Sequence, residues 1–132
     1  MAIRYRITKR TNSIQNKKEQ FIMQAVHTGK VDLDRISSAI SNECSLHEVD
    51  VKAVLYALGI KLSDYLQQGK VVDLGDVGKF KIGFKSTAEE DATNLSPKKN
   101  IKKYHINYQP SIKLKRTLKA GITTYKEGSR SI

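Results

Sequence analysis

The segment from Lys79 to Lys85 carries the pattern that most restricts how this chain can fold. Its even positions are apolar (Phe80, Ile82 and Phe84), and its odd positions are lysine or glycine. Successive side chains of a β-strand point to opposite faces of the sheet. The alternation therefore predicts a strand with one apolar face and one lysine-lined face, and such a cationic front suits a polyanion.

A long basic segment follows. From Pro97 to Lys119 there are eight lysine and arginine residues and no acidic residue. Residues 97–132 as a whole carry ten basic residues and one acidic residue, whereas residues 29–96 carry eight and eleven. An excess distributed this unevenly indicates the electrostatic footprint of a nucleic-acid-binding surface; the alternative is that the lysines only keep a small protein soluble. DNA is therefore the leading candidate for the polyanion.

At 132 residues, with 39% hydrophobic residues and a net charge of +11, the chain is long enough for one domain with a modest core. Cys44 is its only cysteine, so no intrachain disulfide can form and nothing indicates an oxidising compartment. The charged start of the chain lacks the apolar run of a signal peptide, and no apolar stretch is long enough to cross a bilayer. We expect a soluble, cytoplasmic protein with no membrane partner.

The first half of the chain predicts two strands followed by two helices. Ile3 to Thr8 alternates as a strand, residues 9–18 are polar and loop-like, and a second strand is expected at about residues 20–27. Apolar residues at helical spacing predict a short helix from Asp32, acting as its N-cap, to about Asn42. A longer helix should follow and end before Gly69, which suits the left-handed residue just past a helix.

The start of the long helix carries a more specific signal. Ser45-Leu46-His47-Glu48 has the Ser-x-x-Glu form of a capping box, and Cys44 and Val49 occupy the positions of a hydrophobic staple. The apolar stripe that follows is wide enough to pack against more apolar surface than its own domain can supply. Its residues are Val51, Val54, Leu55, Leu58, Leu62, Tyr65 and Leu66.

The second half predicts an antiparallel sheet and a last helix. Strands are expected at residues 71–74, 79–85 and 101–109, with a flexible, polar and acidic excursion over residues 86–96. In the third strand, alternation directs Tyr104 inward and His105 outward. Pro110 is placed for the first turn of the final helix, Gly121 should end it, and residues 127–132 should fray.

This order of elements resembles the bacterial HU and integration-host-factor group of histone-like DNA-binding proteins over residues 30–119. The sharpest match, from Gly69 to Phe80, is similar to the family's segment from the end of its second helix through a Gly-Phe-Gly-x-Phe turn, with Val77 in place of the first phenylalanine. Tyr108-Gln109-Pro110-Ser111 resembles the family's entry into its last helix. The extra N-terminal strands resemble the longer HU-like branch of Bacteroides-type bacteria.

The resemblance implies an α+β fold: two N-terminal helices, a three-stranded antiparallel sheet with a protruding β-arm, and a C-terminal helix. Residues 1–28 would be a strand extension, residues 29–125 the HU-like domain and residues 126–132 a frayed tail. It also implies an intertwined homodimer whose arms enter the minor groove and bend double-stranded DNA, reading shape more than base edges.

The expected arm tip departs from the family pattern. The family's tip usually carries Arg-Asn-Pro, whose proline wedges between base pairs, whereas this chain reads Asn94-Leu95-Ser96-Pro97-Lys98-Lys99 after an acidic cluster. Pro97 is therefore a possible DNA wedge, with Leu95 helping it. The alternative is that Pro97 only shapes the start of the third strand.

The candidate DNA-binding residues are basic side chains expected on the outer sheet face, the arm and the last helix. Neutralising phosphates releases counterions, so affinity should come mainly from such residues and fall steeply with salt. Arg4, Arg6, Lys9 and Arg10 form a second patch that the pattern does not place. The candidates are Lys81, Lys85, Lys98, Lys99, Lys102, Lys103, His105, Lys113, Arg116 and Lys119.

Catalytic and metal-binding motifs are missing from the sequence. His47-Glu48 begins a zinc-protease motif, but Val51 occupies the second histidine position. Gly75 and Gly78 lack the Gly-Lys-Ser/Thr of a phosphate loop, and Asp73 lies beside a tight turn, where aspartate is common for backbone reasons. We therefore predict no enzyme activity, no cofactor, no metal site and no small-molecule substrate.

Two other functions remain open from the sequence. An exposed strand edge from Ile3 to Thr8 could recruit a protein partner by strand pairing. The charge pattern also permits RNA binding, although no aromatic-rich exposed sheet for base stacking is evident.

Overall fold

The computed structural model of the protein describes residues 2–11 and 19–128. Their two small sheets and four helices make an α+β fold, as predicted. Residues 12–18 of the expected loop and residues 129–132 of the expected tail lie outside the described residues. The elements are β1 (Ala2–Thr11), β2 (Glu19–Val26), α1 (Leu33–Glu43), α2 (Glu48–Gln67), β3 (Val72–Asp73), β4 (Gly78–Ser86), a 3₁₀ turn (Ala92–Asn94), α3 (Pro97–Asn100), β5 (Ile101–Pro110), α4 (Ile112–Ala120) and β6 (Thr123–Lys126).

The chain divides into two compact units, one of residues 1–32 with 117–132 and the other of residues 33–116. In the first unit the strand order is β2-β1-β6, with β1 antiparallel to β2 and parallel to β6. The prediction of a free strand edge over Ile3 to Thr8 is wrong for Ile3 to Tyr5, because β2 pairs with one side of β1 and β6 pairs with the other side over Ala2–Tyr5.

Strand β6 was not foreseen from the sequence. The backbone N–H of Glu127 donates to the carbonyl oxygen of Tyr5, and its carboxylate accepts from the Arg6 guanidinium at 3.2 Å. Glu127 is therefore held rather than frayed. Because β6 pairs with β1, residues 117–132 group with the N-terminal strands, and the expected domain boundaries at residues 28 and 125 stay a prediction.

The second unit begins with two helices, and α2 starts later than the capping box predicts. Its N-cap is His47, which makes no side-chain capping bond, and Glu48 is its first residue. The Ser41 hydroxyl donates to the carbonyl oxygen of Leu46, and the preceding residues bend instead of entering the helix. The staple prediction is also wrong, since Cys44 donates to the Ile40 carbonyl oxygen and both Cys44 and Val49 are exposed.

Helix α2 supplies the buried apolar side chains of this unit. Val51 and Leu66 are its buried apolar side chains, and Gly69 follows its end with φ +78, as predicted. Helix α1 packs on α2, and an ion pair joins Asp34 of α1 to Lys52 of α2. Much of the predicted stripe of α2 remains exposed in the single chain, including Val54 and Leu58.

The sheet of the second unit has the order β3-β4-β5, and both of its pairings are antiparallel. Helix α2 contacts β3 and β4. The expected first-turn position of Pro110 is wrong, because Pro110 is the last residue of β5. Ser111 instead precedes the helix and caps its start: its hydroxyl accepts from the backbone N–H of Leu114. Helix α4 then ends before Gly121, whose φ of +92 fits the predicted stop.

Candidate nucleic-acid interface

The antiparallel pairing of β4 with β5 creates a continuous face of lysine and polar side chains. Lys85 stands opposite Lys103, Lys81 opposite Asn107 and Lys79 opposite Gln109. We call this set, with Gly83 and His105, the lysine face. The pairing confirms that Lys81, Lys85, Lys103 and His105 share one side of the sheet; their contact with DNA stays a prediction.

The Lys85–Lys103 pair lowers the stability of the sheet when no anion is bound. Like charges directly opposite each other in an antiparallel pair repel, which destabilises the sheet modestly. Both side chains are exposed, and no acidic residue belongs to the lysine face. A bound anion would relieve this repulsion, so the arrangement favours polyanion binding over a purely structural role.

Gly83 lets His105 lie flat in the middle of the lysine face. A Cβ added at Gly83 would stand 2.7 Å from the imidazole Nε2 of His105 and 3.4 Å from the Asn107 amide nitrogen. The imidazole is half-buried, and its Nδ1 atom is buried with no hydrogen-bond partner within the described residues. The missing side chain of Gly83 therefore leaves the room that the His105 imidazole occupies between the lysines.

The opposite side of the same ribbon is apolar, and we call it the back face. Its six residues pair across the strands: Phe80 stacks near Tyr108 with ring centroids 5.0 Å apart, and Phe84 meets Tyr104 edge-on at 6.0 Å. Tyr104 is nevertheless 65% exposed and Ile106 is 63% exposed. The side chains of the back face therefore contact one another across the two strands, but in a single chain most of their surface remains exposed to solvent. Its residues are Phe80, Ile82, Phe84, Tyr104, Ile106 and Tyr108.

Residues 87–100, which connect β4 to β5, form an ordered tip rather than the open excursion predicted from composition. The backbone N–H of Thr87 donates to the Asn100 carbonyl oxygen at 2.8 Å and closes the loop. Pro97 is the first residue of α3, whose N-cap is Ser96. The structure therefore places the possible wedge at a helix start; wedge insertion stays a prediction.

The three lysines expected on the arm lie around this tip. Lys98 and Lys102 are exposed, whereas Lys99 forms an ion pair with Glu89 at 3.2 Å. A second acidic group lies nearby in sequence: the backbone N–H of Thr93 donates to the Asp91 carboxylate and lowers the pKa of Asp91. The tip thus presents both signs of charge, unlike the lysine face.

The basic residues of the last helix are exposed along α4. Lys113, Arg116 and Lys119 recur every three residues, a spacing that keeps side chains near one side of a helix. Lys113 also approaches the Asp76 carboxylate at 3.9 Å, in the turn before β4. Its contribution to a phosphate contact would therefore include competition with Asp76.

Comparisons with known proteins agree with this geometry. Residues 1–126 match the family model HU-HIG, described as an HU domain fused to wHTH, Ig, or glycine-rich motif. The chain belongs to this family. No curated protein matches the chain.

The fold of this HU-HIG member is also similar to a crystal structure from Bacteroides vulgatus ATCC 8482 that is described, provisionally, as a bacterial DNA-binding protein. The TM-score is 0.65, the sequence identity is 12%, and the match covers 99% of this chain and 51% of that one. The chain thus spans about half the length of that neighbour, and at this identity the likeness shows the fold alone.

The N-terminal basic patch of the HU-HIG chain is split by its strand. Alternation places Arg4, Arg6 and Arg10 on one side of β1 and Lys9 on the other. Lys9 pairs with Glu19 at 3.5 Å and lies 6.0 Å from the ring centre of Phe21. The patch predicted from the sequence is therefore not a single cluster.

Sequence reasoning placed Lys79 and Asn107 on the lysine face but left them, with Gln109, out of the candidate binding residues. Register shows that all three belong to this face. Asn100, which organises the tip, had no recognisable signal because its partners are distant in sequence.

Within residues 2–11 and 19–128, no three histidine, cysteine or acidic side chains come together as possible metal ligands. No described helix combines the length and apolar character needed to cross a bilayer.

Proposed function

We propose that the protein is a non-enzymatic, largely sequence-tolerant binder of double-stranded DNA that acts in nucleoid architecture and DNA condensation. The lysine face carries this proposal, because it aligns four lysines without an acidic residue on one sheet surface. Membership of the HU-HIG family supports it. Affinity from such a surface is dominated by phosphate neutralisation, which carries little sequence information.

The binding unit is proposed to be an HU-type homodimer. The back face and the outer side of α2 leave large apolar side chains exposed, including Tyr104, Ile106 and Val54. Monomeric soluble proteins rarely leave contiguous apolar patches of this extent uncovered. A second copy would bury these surfaces and place two lysine faces on one assembly.

In this assembly the β4–β5 ribbon would serve as the DNA-contacting arm, and α4 would grip flanking phosphates through Lys113, Arg116 and Lys119. Lys98, Lys99 and Lys102 would act from the tip. Pro97 and the half-exposed Leu95 are the apolar groups available there for insertion between base pairs. The proposed location is the bacterial nucleoid in the cytoplasm, with no cofactor, membrane or small-molecule partner.

One observation favours a second candidate, the recruitment of a protein partner by the N-terminal sheet. On the side of that sheet opposite Arg4, the side chains of Phe21 and Met23 are 63% and 70% exposed. This apolar side, rather than the edge of β1, would receive the partner. A version lacking β1 and β2 that keeps its DNA affinity but loses a protein complex would favour this function.

A titration of random-sequence duplex DNA at two salt concentrations tests the main proposal. We expect binding that weakens steeply with salt and that duplex RNA competes poorly. Replacing Lys98, Lys99, Lys102 and Lys103 with alanine should weaken binding to all duplexes similarly. No binding at low salt would overturn DNA binding as the function, and unchanged affinity in the quadruple variant would remove the tip from the interface.

A further inference from the structure

The tip is organised around a single buried amide. Asn100 is 3% exposed, and its Oδ1 accepts from the backbone N–H of Ser96 at 2.8 Å. Its Nδ2 donates to the backbone and hydroxyl oxygens of Thr87, at 3.3 and 3.0 Å, and to the Glu89 carboxylate at 3.3 Å. A buried amide with this many partners fixes its neighbours in one arrangement, since breaking any bond leaves a polar atom unsatisfied.

Glu89 is placed by this amide so that it also holds Lys99. The Oε1 atom that accepts from Asn100 lies 3.2 Å from the Lys99 ammonium. The Glu89 side chain is 27% exposed, whereas that of Lys99 is 65% exposed. The carboxylate is therefore the anchored member of the pair, and the lysine is the member that can leave it for solvent or for another anion.

We propose that Glu89 is an intramolecular competitor of DNA phosphate for Lys99 and thereby sets the DNA affinity of the tip. This inference rests on the proposed DNA-binding function. While the Lys99 ammonium is paired with this carboxylate its charge is already offset, so its full contribution to a phosphate contact requires an exchange of one anion for another. The fixed position of Glu89 makes the competition persistent rather than occasional.

The size of the effect follows from the exposure of Lys99. Exposed ion pairs measured in proteins are worth little, so releasing Lys99 should raise DNA affinity by about 1.5- to 5-fold per tip. Removing any one acidic charge near DNA also raises affinity by a general electrostatic effect. A test must therefore separate release of Lys99 from the loss of one negative charge.

Glu89→Gln and Glu90→Gln make a matched pair for this purpose. Both remove one charge at adjacent positions, and glutamine at position 89 keeps an oxygen that accepts from Asn100. Glu90 is exposed and has no ion pair among the described residues. Affinity for a random-sequence duplex at low salt should rise about 1.5- to 5-fold more for Glu89→Gln than for Glu90→Gln.

A double-mutant cycle with Lys99→Ala identifies the partner. In the Lys99→Ala background, Glu89→Gln should raise affinity no more than Glu90→Gln does. Thermal unfolding of each variant shows whether the tip remains folded, because a purely structural role for Glu89 would lower affinity and stability together.

The outcomes separate this inference from the function on which it rests. Equal effects of Glu89→Gln and Glu90→Gln, or an effect of Glu89→Gln that survives removal of Lys99, would overturn the competition while leaving DNA binding intact. Failure of the parent protein to bind duplex DNA at low salt would overturn the proposed function, and this inference with it.

Discussion

Replacing Lys81, Lys85 and Lys103 together with glutamine should flatten the salt dependence of DNA binding. Each phosphate contact contributes about 0.9 to the slope of log affinity against log salt, so losing three contacts per chain should reduce the slope by about 2.7. At about 1 M salt these contacts should contribute little, so the parent and the variant should bind similarly there. A slope difference of about 2.7 over one decade of salt then makes binding of the variant roughly 500-fold weaker per chain at about 0.1 M salt. Fluorescence anisotropy with a labelled random-sequence duplex measures both quantities.

The fold should tolerate this change, which keeps the experiment interpretable. Removing the Lys85–Lys103 repulsion should stabilise the sheet by about 0.2–1 kcal/mol, so weaker binding would not reflect unfolding. A control that replaces Lys30, Lys61 and Lys70, none of which belongs to the lysine face, removes the same net charge and should change affinity far less. Equal losses in the two triple variants would refute the assignment, because net charge alone would then explain binding.

Three further predictions concern the assembly, the turn before β4 and the helical pair. Ile106→Glu on the back face should convert the proposed dimer to monomers, as measured by sedimentation velocity. Asn107→Glu makes the same charge change on the lysine face and should leave the protein dimeric. A parent protein that sediments as a monomer would contradict the proposed dimer. Gly78→Ala should cost about 2–4 kcal/mol in chemical denaturation, because Gly78 has φ +130 and a Cβ there would collide with the carbonyl oxygen of Gln109; an unchanged midpoint would refute this reading. The hydrogen bond to Asp34 raises the pKa of Lys52, so the pair should stabilise the protein fully below the unfolded-state pKa of lysine and lose its effect as pH rises through the raised value. The thermal midpoints of the parent and of Lys52→Met should therefore differ at neutral pH and converge at strongly alkaline pH; a constant difference would point to packing instead.

Period-two patterning made the central ribbon predictable from sequence. In β4 each side chain belongs to one of two faces, so Phe80 and Lys81 were assigned correctly before their partners in β5 were known. The end of α2 was equally predictable from the sequence, because Gly69 adopts the left-handed conformation that other residues avoid. These are local signals, carried by residues adjacent in sequence.

The errors came from competition that a sequence pattern does not show. Ser45 had the right spacing for a capping box, but the Ser41 hydroxyl bonds to the Leu46 carbonyl oxygen in the bend before α2, and the helix starts at Glu48. Pro110 was compatible with both a helix start and a strand end, and it lies at the end of β5 because it pairs opposite Gly78 of β4. Local preference is a weak constraint when tertiary pairing offers more hydrogen bonds.

Long-range contacts account for what the sequence could not indicate. Strand β6 is a short polar segment with no alternation of its own, and it becomes a strand only because β1 offers an edge. The tip likewise depends on Asn100 reaching back thirteen residues to Thr87. The acidic composition of residues 86–96 indicated flexibility, whereas one buried amide gives this stretch its shape.

The parallel partnership of β1 with β6 has a consequence for biosynthesis. Arg6 and Glu127 are separated by 121 positions, so the ribosome makes the first hairpin long before the strand that completes its sheet. Until then one border of β1 offers unpaired amides and carbonyls, which is the kind of surface that captures other nascent chains. A product truncated before Thr123 would keep this vulnerability permanently and should aggregate more readily than a polypeptide that includes β6.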